Sequence, residues 1–395
     1  MGGYAVLAPF SNFRGKGPVA VGSLPGITSY GAFDMAGNVR EWNWNETPKG
    51  RLIRGGAWDD NTYMFGSLSQ APPMDRSPKN GFRCALYPDR EKVPEAAFQR
   101  QGLPSGGRVI DLYKEKPVPD SVFQAYREQF SYDKTDLRAR IESRQESSAG
   151  WIQERVTFDA AYGGERVIAY LFLPKNTAPP YQTVIYFPGS ASVYQRSSND
   201  LESYYEFPIF LSFIVRNGRA VLYPVYKGTF ERGSDSLAAL IEGTGNPHQA
   251  SELLVQQTKD FRRCIDYLET RQDIDSKRLA YYGMSWGGDF GAIIPAVEQR
   301  LKASVLVGGS ISGSPRPEVS AINYVTRVKI PTLMLNGKYD TLAPPETTIQ
   351  PMYDRLGTSA PDKQLKFYET DHIPPRNEFV KETLAWLDRY LGPVK

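Results

Sequence analysis

The chain has 395 residues, 41% hydrophobic and 23% charged, the balance of an ordinary globular protein. A net charge of +3 without a long basic run excludes the electrostatic footprint of a nucleic-acid binder. No stretch approaches the roughly 20 apolar residues of a membrane span, and the length suits two or three ordinary domains or one large one with an appendage. The opening MGGYAVLAPFSNFRGKG lacks a basic start followed by an apolar core, so it does not read as a signal peptide. Val6 stands where a myristoylation signal needs Ser or Thr. The two cysteines, Cys84 and Cys264, fall in different expected domains. No disulfide framework is expected, and a reducing, cytoplasmic compartment is the default.

Residues 1–88 are loop-rich, with many Gly, Asn, Trp and Tyr and no helical period. Two stretches stand out: "YGAFDMAGNVREW", Tyr30 to Trp42, and "RLIRGGAWDD…GFRCAL", Arg51 to Leu86. They resemble the C-terminal half of the formylglycine-generating-enzyme family, whose fold is related to C-type lectins. The family's paired catalytic cysteines would lie after the Gly-Gly segment, where this chain reads Ala57-Trp58-Asp59-Asp60-Asn61-Thr62. Cys84 matches a framework position instead. The resemblance therefore implies a truncated, catalytically inert domain that lacks the family's first half. It also implies a structural calcium site on Asp34, the carbonyls of Gly37 and Val39, and Glu41, all hard oxygen donors. A domain shortened in this way cannot close its core. Trp42, Trp44, Trp58, Phe65 and Phe82 are thus expected to pack against the rest of the chain or against a second copy, as a homo-oligomer.

Residues 89–120, rich in Pro, Gly and charge, read as a linker. Residues 121–395 then alternate strand and helix patterns. "SVFQAYREQFSYDKTDLRARIE" predicts a helix and an edge strand. "ERVTFDAAYGGERVIAYLFLP" predicts two strands around Gly163-Gly164. "TVIYFPG" and "RAVLYPVY" read as buried strands. "SELLVQQTKDFRRCIDYLETR" spaces Leu253, Leu254, Phe261, Ile265 and Leu268 as one helix face. "RLAYYGMS" is a strand, followed by a helix from Gly287 through "DFGAIIPAVEQRL". "ASVLVGG", "PTLMLNGKYD" and "QLKFYETDH" are further strands, and "PRNEFVKETLAWLDRYL" is a closing amphipathic helix. This order predicts an α/β fold: a mainly parallel sheet with helices on both faces and its site at the strands' carboxyl ends.

Gly283-Met284-Ser285-Trp286-Gly287 fits G-x-S-x-G at such a strand-to-helix junction. Gly283 and Gly287, two residues to either side of Ser285, fit a tight turn in which side chains would collide, and the following helix would aim its first amides at the site. A serine hydroxyl needs an adjacent base. Only His248 and His372 are available, and His248 sits in the polar loop "GTGNPHQ", suited to a helix entry. His372 and Asp340 close two strands in the order Ser, Asp, His. Asp371 precedes His372 directly and would point away. Cys264 lies on a helical apolar face, as a small hydrophobe.

This part resembles the α/β-hydrolase family, in particular its dienelactone-hydrolase-like and acetyl-xylan-esterase-like members. Dienelactone hydrolases proper use cysteine as nucleophile, and this chain has Ser285 there. The resemblance implies a serine carboxylesterase without a required cofactor, acting on a small-molecule ester, with Ser285, Asp340 and His372 as triad. The oxyanion hole would be the amides of Trp286 and Ser190, with Ala191 as second choice for the latter. Tyr194, Tyr226, Phe230 and Tyr324 follow strand ends, where they would line a substrate pocket or simply pack. Residues 226–250 are long enough for a modest lid. The competing readings are a prolyl-oligopeptidase-like peptidase and a non-catalytic sugar- or protein-binding module.

Overall fold

The structure, a computed structural model, describes residues 10–93 and 111–394 apart from 14, 29, 48, 49, 61, 67, 242, 244, 315 and 341. It divides into two compact units. One comprises Met1–Val109 with Gly337–Pro344 and Glu369–His372; the other comprises Ile110–Asn336, Pro345–Tyr368 and Ile373–Lys395. These units differ from the expected domains, 1–88 and 121–395, in two respects. Two C-terminal loops group with the N-terminal residues. Much of the expected linker lies outside the described residues, and its last part belongs to the second unit. There Leu112 is buried, the Arg355 guanidinium donates to the carbonyls of Leu112, Tyr113 and Glu115, and the Val118 amide donates to Asn323.

In the first unit the described residues hold a four-stranded sheet of order β3-β2-β1-β4. Its strands are β1 (Arg40–Thr47), β2 (Gly50–Arg54), β3 (Ser69–Ala71) and β4 (Asn80–Gly81). β1–β2 and β2–β3 are antiparallel and β1–β4 is parallel. The core is small, built on Leu52, Ile53, Ala57, Met64 and Ala71. Trp42, Trp58 and Phe65 are half-buried, but Trp44 and Phe82 are 70% and 78% exposed. These two thus find no cover among the described residues of the chain, and cover by a second copy stays an expectation for them. Trp44 has a polar partner instead, since the Arg51 guanidinium lies 5.4 Å from its ring.

In the second unit the sheet has the order β13-β12-β11-β10-β8-β9-β7-β6-β5. Its strands are β5 (Arg140–Gln145), β6 (Trp151–Asp159), β7 (Arg166–Pro174), β8 (Tyr181–Phe187), β9 (Ala220–Val225), β10 (Ile274–Met284), β11 (Leu301–Val307), β12 (Thr332–Gly337) and β13 (Lys363–Tyr368). The pairs β8–β9, β8–β10, β10–β11 and β11–β12 are parallel. The pairs β5–β6, β6–β7 and β7–β9 are antiparallel, so the sheet is mixed, with its parallel half around β10. β9 and β12 are buried along their whole length, as expected of strands covered on both faces. β5 is exposed throughout and forms the edge. The β6–β7 turn uses Gly163 and Gly164 at φ 61° and 63°, a conformation that glycine adopts without penalty.

The helices are α1 (Asp120–Glu128), α2 (Ser212–Arg216), α3 (Asp235–Ile241), α4 (Pro247–Glu269), α5 (Trp286–Phe290), α6 (Ile294–Val297), α7 (Ile322–Val325), α8 (Gln350–Arg355) and α9 (Arg376–Leu391). α4 begins earlier than its apolar period suggests. The Asn246 side chain caps the amides of His248 and Gln249, and Pro247 fills a first-turn position that needs no amide. The expected lid segment, 226–250, holds the 3-10 turn Phe230–Arg232, α3 and the start of α4. None of the described helices is long and apolar enough to cross a membrane.

Candidate active site

Ser285 leaves β10 at φ 54° and ψ −114°, a conformation that a residue with a side chain rarely adopts. Its amide donates to the Val307 carbonyl of β11 at 2.7 Å, and its carbonyl accepts from the Asp289 amide at 3.0 Å. The flanking glycines are required by contact. A Cβ on Gly283 would stand 2.2 Å from the Gly287 oxygen, and one on Gly287 would stand 2.1 Å from the Phe187 oxygen of β8. Gly288 is equally constrained, with the Gly309 Cα 2.5 Å from where its Cβ would be. The turn is therefore wedged between β8 and β11.

The helix after Ser285 is shorter than expected. α5 ends at Phe290, and α6 begins at Ile294 with Pro295 in its first turn. Pro295 has no amide to donate to the preceding turn, so the pattern read as one helix is two pieces. Asp289 on α5 accepts from both the amide and the hydroxyl of Ser310, at 2.8 and 2.9 Å. This ties the elbow to the segment after β11.

Trp286 is the first residue of α5, and Ser190 opens the 3-10 turn Ser190–Tyr194 after β8. β8 and β10 are hydrogen-bonded neighbours with Phe187 opposite Gly283, so both amides leave adjacent strand ends. The amide of Gly189 is engaged elsewhere: it donates to Glu206 at 3.0 Å.

Glu206 was not legible as a site residue. It is fully buried, and the hydroxyls of Tyr186, Tyr205 and Tyr223 donate to it at 3.1, 3.2 and 3.0 Å. Burial pushes its carboxyl up to about 7, although the hydrogen bonds from Tyr223, Gly189, Tyr186 and Tyr205 pull it down. Its only sequence signal is a lone acid within the aromatic run "SYYEFPIF".

Asp340 and His372 lie three and four residues beyond the ends of β12 and β13, not at the strand ends as expected. Asp340 is fully buried and His372 is 5% exposed. His372 Nδ1 is 2.7 Å from Asp340 Oδ2, while Asp340 Oδ1 accepts the amides of Leu342 and Ala343, each at 2.9 Å. A carboxylate held in this way fixes the imidazole with its proton on Nδ1 and leaves Nε2 as the acceptor. The two loops are cross-linked again by the Tyr339 amide donating to the Thr370 carbonyl at 3.0 Å and by Lys338 pairing with Glu369 at 2.6 Å.

The expected pocket residues are corrected. Tyr226 is fully buried, stacked on Phe187 with its hydroxyl donating to the Tyr186 carbonyl at 2.9 Å. Phe230 packs edge-on to Tyr204 and Tyr223 in the core. Tyr324 is buried against Phe123 and Phe130 and donates to the Glu318 carbonyl. All three rings turn inward, and Tyr324 follows no strand end but lies on α7. Tyr194 remains 41% exposed. His248 lies exposed at the start of α4, 3.5 Å from Glu252. Cys84 is exposed, whereas burial pushes the Cys264 thiol up and makes it a poor nucleophile.

The calcium expectation does not fit the donors found. Glu41 is clamped by Arg83 through contacts of 2.8 to 3.1 Å, and Asp34 accepts the Gly22 amide at 2.6 Å. A guanidinium already occupies the place where a dication would need the Glu41 oxygens. Among the described residues no group of three or more His, Cys, Asp or Glu is placed to hold a metal ion.

Residues 263–393 match the PET hydrolase-like family model, and residues 3–87 match the sulfatase-modifying factor enzyme 1-like domain. An acetyl xylan esterase 1 from a Thermoanaerobacterium species aligns with a TM-score of 0.55 and 17% identity, over 70% of this chain and 96% of its own. An acetyl xylan esterase from a Paenibacillus species aligns with a TM-score of 0.51 and 19% identity, over 71% of this chain and 98% of its own. The larger unit has the α/β-hydrolase fold. Within the hydrolase part, Cutinase 2 of Thermobifida cellulosilytica is 30% identical over 146 residues, 34% of this chain and 52% of the cutinase. Bis(hydroxyethyl) terephthalate hydrolase of Streptomyces coelicolor is 29% identical over 136 residues, 32% of this chain and 40% of its own. The chain thus spans about half the length of the curated relatives it matches.

Proposed function

We propose that the chain is a serine carboxylesterase acting on small or medium carboxylic esters. The observation that carries this reading is Ser285, held at φ 54° between β10 and α5 by glycines that admit no side chain. Strain of this kind concentrates at functional sites, and the turn stands at the carboxyl end of a central strand. The His372–Asp340 pair, at 2.7 Å, supplies the base that such a hydroxyl requires. The names of the cutinases and of the terephthalate-ester hydrolase point to the same bond type.

In this mechanism Ser285 Oγ attacks the ester carbonyl carbon as its proton passes to His372 Nε2. Asp340 holds Nδ1 and stabilises the imidazolium. The amides of Trp286 and Ser190 stabilise the oxyanion. His372 then protonates the departing alkoxide, leaving an acyl-Ser285. Water, deprotonated by His372, hydrolyses the acyl-enzyme by the reverse steps.

The test is an assay on p-nitrophenyl acetate and butyrate beside a peptide p-nitroanilide, with fluorophosphonate labelling. The expected result is ester turnover without peptide cleavage, and a single label on Ser285. Ser285→Ala should lower kcat by on the order of 10⁴ to 10⁶. Retention of a tenth of the activity would refute the assignment, and preferential peptide cleavage would favour the peptidase reading.

A further inference from the structure

Arg40 opens β1 within the motif "GNVREW", far in sequence from every residue of the proposed triad. The backbone before it is fixed by the buried Asn38, at φ 68°, whose side chain accepts the Val19 amide and donates to the Val19 carbonyl. The Arg40 amide itself donates to the Lys79 carbonyl at 2.8 Å. The guanidinium grips Asp60 through two bonds of 2.8 and 3.0 Å. Asp60 is not free to follow a moving partner, because it also accepts the Ala57 amide at 2.7 Å. With its remaining nitrogen Arg40 forms an ion pair with Asp371, the residue immediately before His372. Both side chains of that pair are largely buried, 14% and 10% exposed.

Asp371 is constrained from two further directions. The Ser69 hydroxyl of β3 hydrogen-bonds its carboxyl. On the backbone side, a Cβ at Gly337 would fall 1.4 Å from the Asp371 carbonyl oxygen, so the loop Glu369–His372 packs directly against Gly337. Burial pushes the Asp371 carboxyl up, and nearby Asp60 and Asp340 add to this, while Arg40 is the main influence pulling it down. Arg40 is therefore the cation that lets two carboxylates, Asp60 and Asp371, sit close together.

We propose that Arg40, in the sulfatase-modifying-factor-like segment, is a positioning residue for the esterase reaction: through its ion pair with Asp371 it holds the loop that sets His372 against Asp340. This rests on the serine-esterase reading above. Without the guanidinium, Asp371 has two carboxylate neighbours and only the Ser69 hydroxyl, and it turns toward water. Its own backbone is the one that carries His372, so the 2.7 Å bond to Asp340 loosens. The segment that lacks its family's cysteines thus serves as a scaffold for the hydrolase's base, not as a second active site.

The experiment measures kcat and KM on p-nitrophenyl butyrate, with melting temperature, for full-length Arg40→Met, Arg40→Lys, Asp371→Asn and the Arg40→Met/Asp371→Asn double variant, with Ser285→Ala alongside. A loosened base slows chemistry and leaves ester binding alone. Arg40→Met and Asp371→Asn should each lower kcat about tenfold, with KM within twofold of the parent, and Arg40→Lys should recover part of the loss. The double variant should be no slower than the worse single one, because the two residues act as one unit. Folded Arg40→Met with kcat within twofold of the parent, or losses that multiply in the double variant, would overturn the proposal. Should Arg40→Met fail to fold, Arg40→Lys and Asp371→Asn decide by the same kcat and KM criteria. Activity surviving in Ser285→Ala would instead bring down the esterase reading and this inference with it. An inactive Ser285→Ala beside a fully active Arg40→Met removes only the inference.

Discussion

The backbone of Ser285 is where sequence, strain and chemistry meet in one residue. A non-glycine residue at φ 54° and ψ −114° costs on the order of 1–3 kcal/mol, which the surrounding hydrogen bonds from β11 and α5 must override. If that cost is retained for catalysis, removing the side chain should stabilise the fold. Ser285→Gly relieves the strain but adds backbone freedom to the unfolded chain, which takes back about 0.5–1 kcal/mol. The net expectation is a gain of roughly 1 kcal/mol in unfolding free energy together with loss of ester hydrolysis. Denaturant melts of the parent, Ser285→Gly and Ser285→Ala measure this directly. A Ser285→Gly protein less stable than Ser285→Ala would show that no strain is stored at the elbow.

At the scale of elements, the β8 end and its following turn depend on a buried acid. Glu206 joins the Gly189 amide, next to Ser190, to tyrosines on β8 and β9, and its carboxyl is pushed up to about 7 by burial. A carboxyl raised above its unfolded value keeps its proton in the fold while the unfolded chain gives it up. Its contribution is therefore fully present below the unfolded carboxylate range and is lost as pH rises through about 7. Glu206→Gln does not titrate, so the melting temperature of the parent minus that of the variant should fall between pH 5 and pH 8. A difference that grows with pH would mean that the tyrosine hydrogen bonds, and not burial, govern this group. The sequence discloses some of these elements and hides others for physical reasons. β8, β9 and β12 were legible because continuous apolar runs bounded by Gly and Pro leave few alternatives to a buried strand. The elbow was legible because its glycines are demanded by contacts of fixed geometry. α5 was overextended because apolar spacing continues past Pro295, where the hydrogen-bond ladder cannot. Tyr226 and Phe230 were misplaced because position after a strand says nothing of which way a ring turns, and Tyr324 because it lies on α7 and follows no strand end. Glu206 and Arg40 stayed hidden because their partners converge from separate segments, and no local pattern records a tertiary pairing.

At the scale of the whole molecule, the proposed acid and base belong with the N-terminal residues. The loops Gly337–Pro344 and Glu369–His372, which carry Asp340 and His372, form one compact unit with the N-terminal residues. The described core of that N-terminal part, around Leu52, Ile53, Ala57 and Met64, is small for a piece that must fold by itself. The two halves of the unit are then interdependent: the loops gain partners in Arg40 and Ser69, and the sheet gains a counter-charge for Arg40 in Asp371. Deleting residues 1–90 should accordingly lower the melting temperature of what remains. It should also reduce kcat at least as far as Arg40→Met does, because Asp371 loses both its cation and its hydroxyl partner. Fluorophosphonate labelling of Ser285 should slow but persist, since the elbow is built from β8, β10, β11 and α5, which the deletion leaves intact. The measurements are a thermal melt, steady-state kinetics and a labelling time course on the truncated and full-length chains. A truncated protein as stable, as fast and as readily labelled as the full chain would make the front segment a passenger and the Arg40–Asp371 pair incidental.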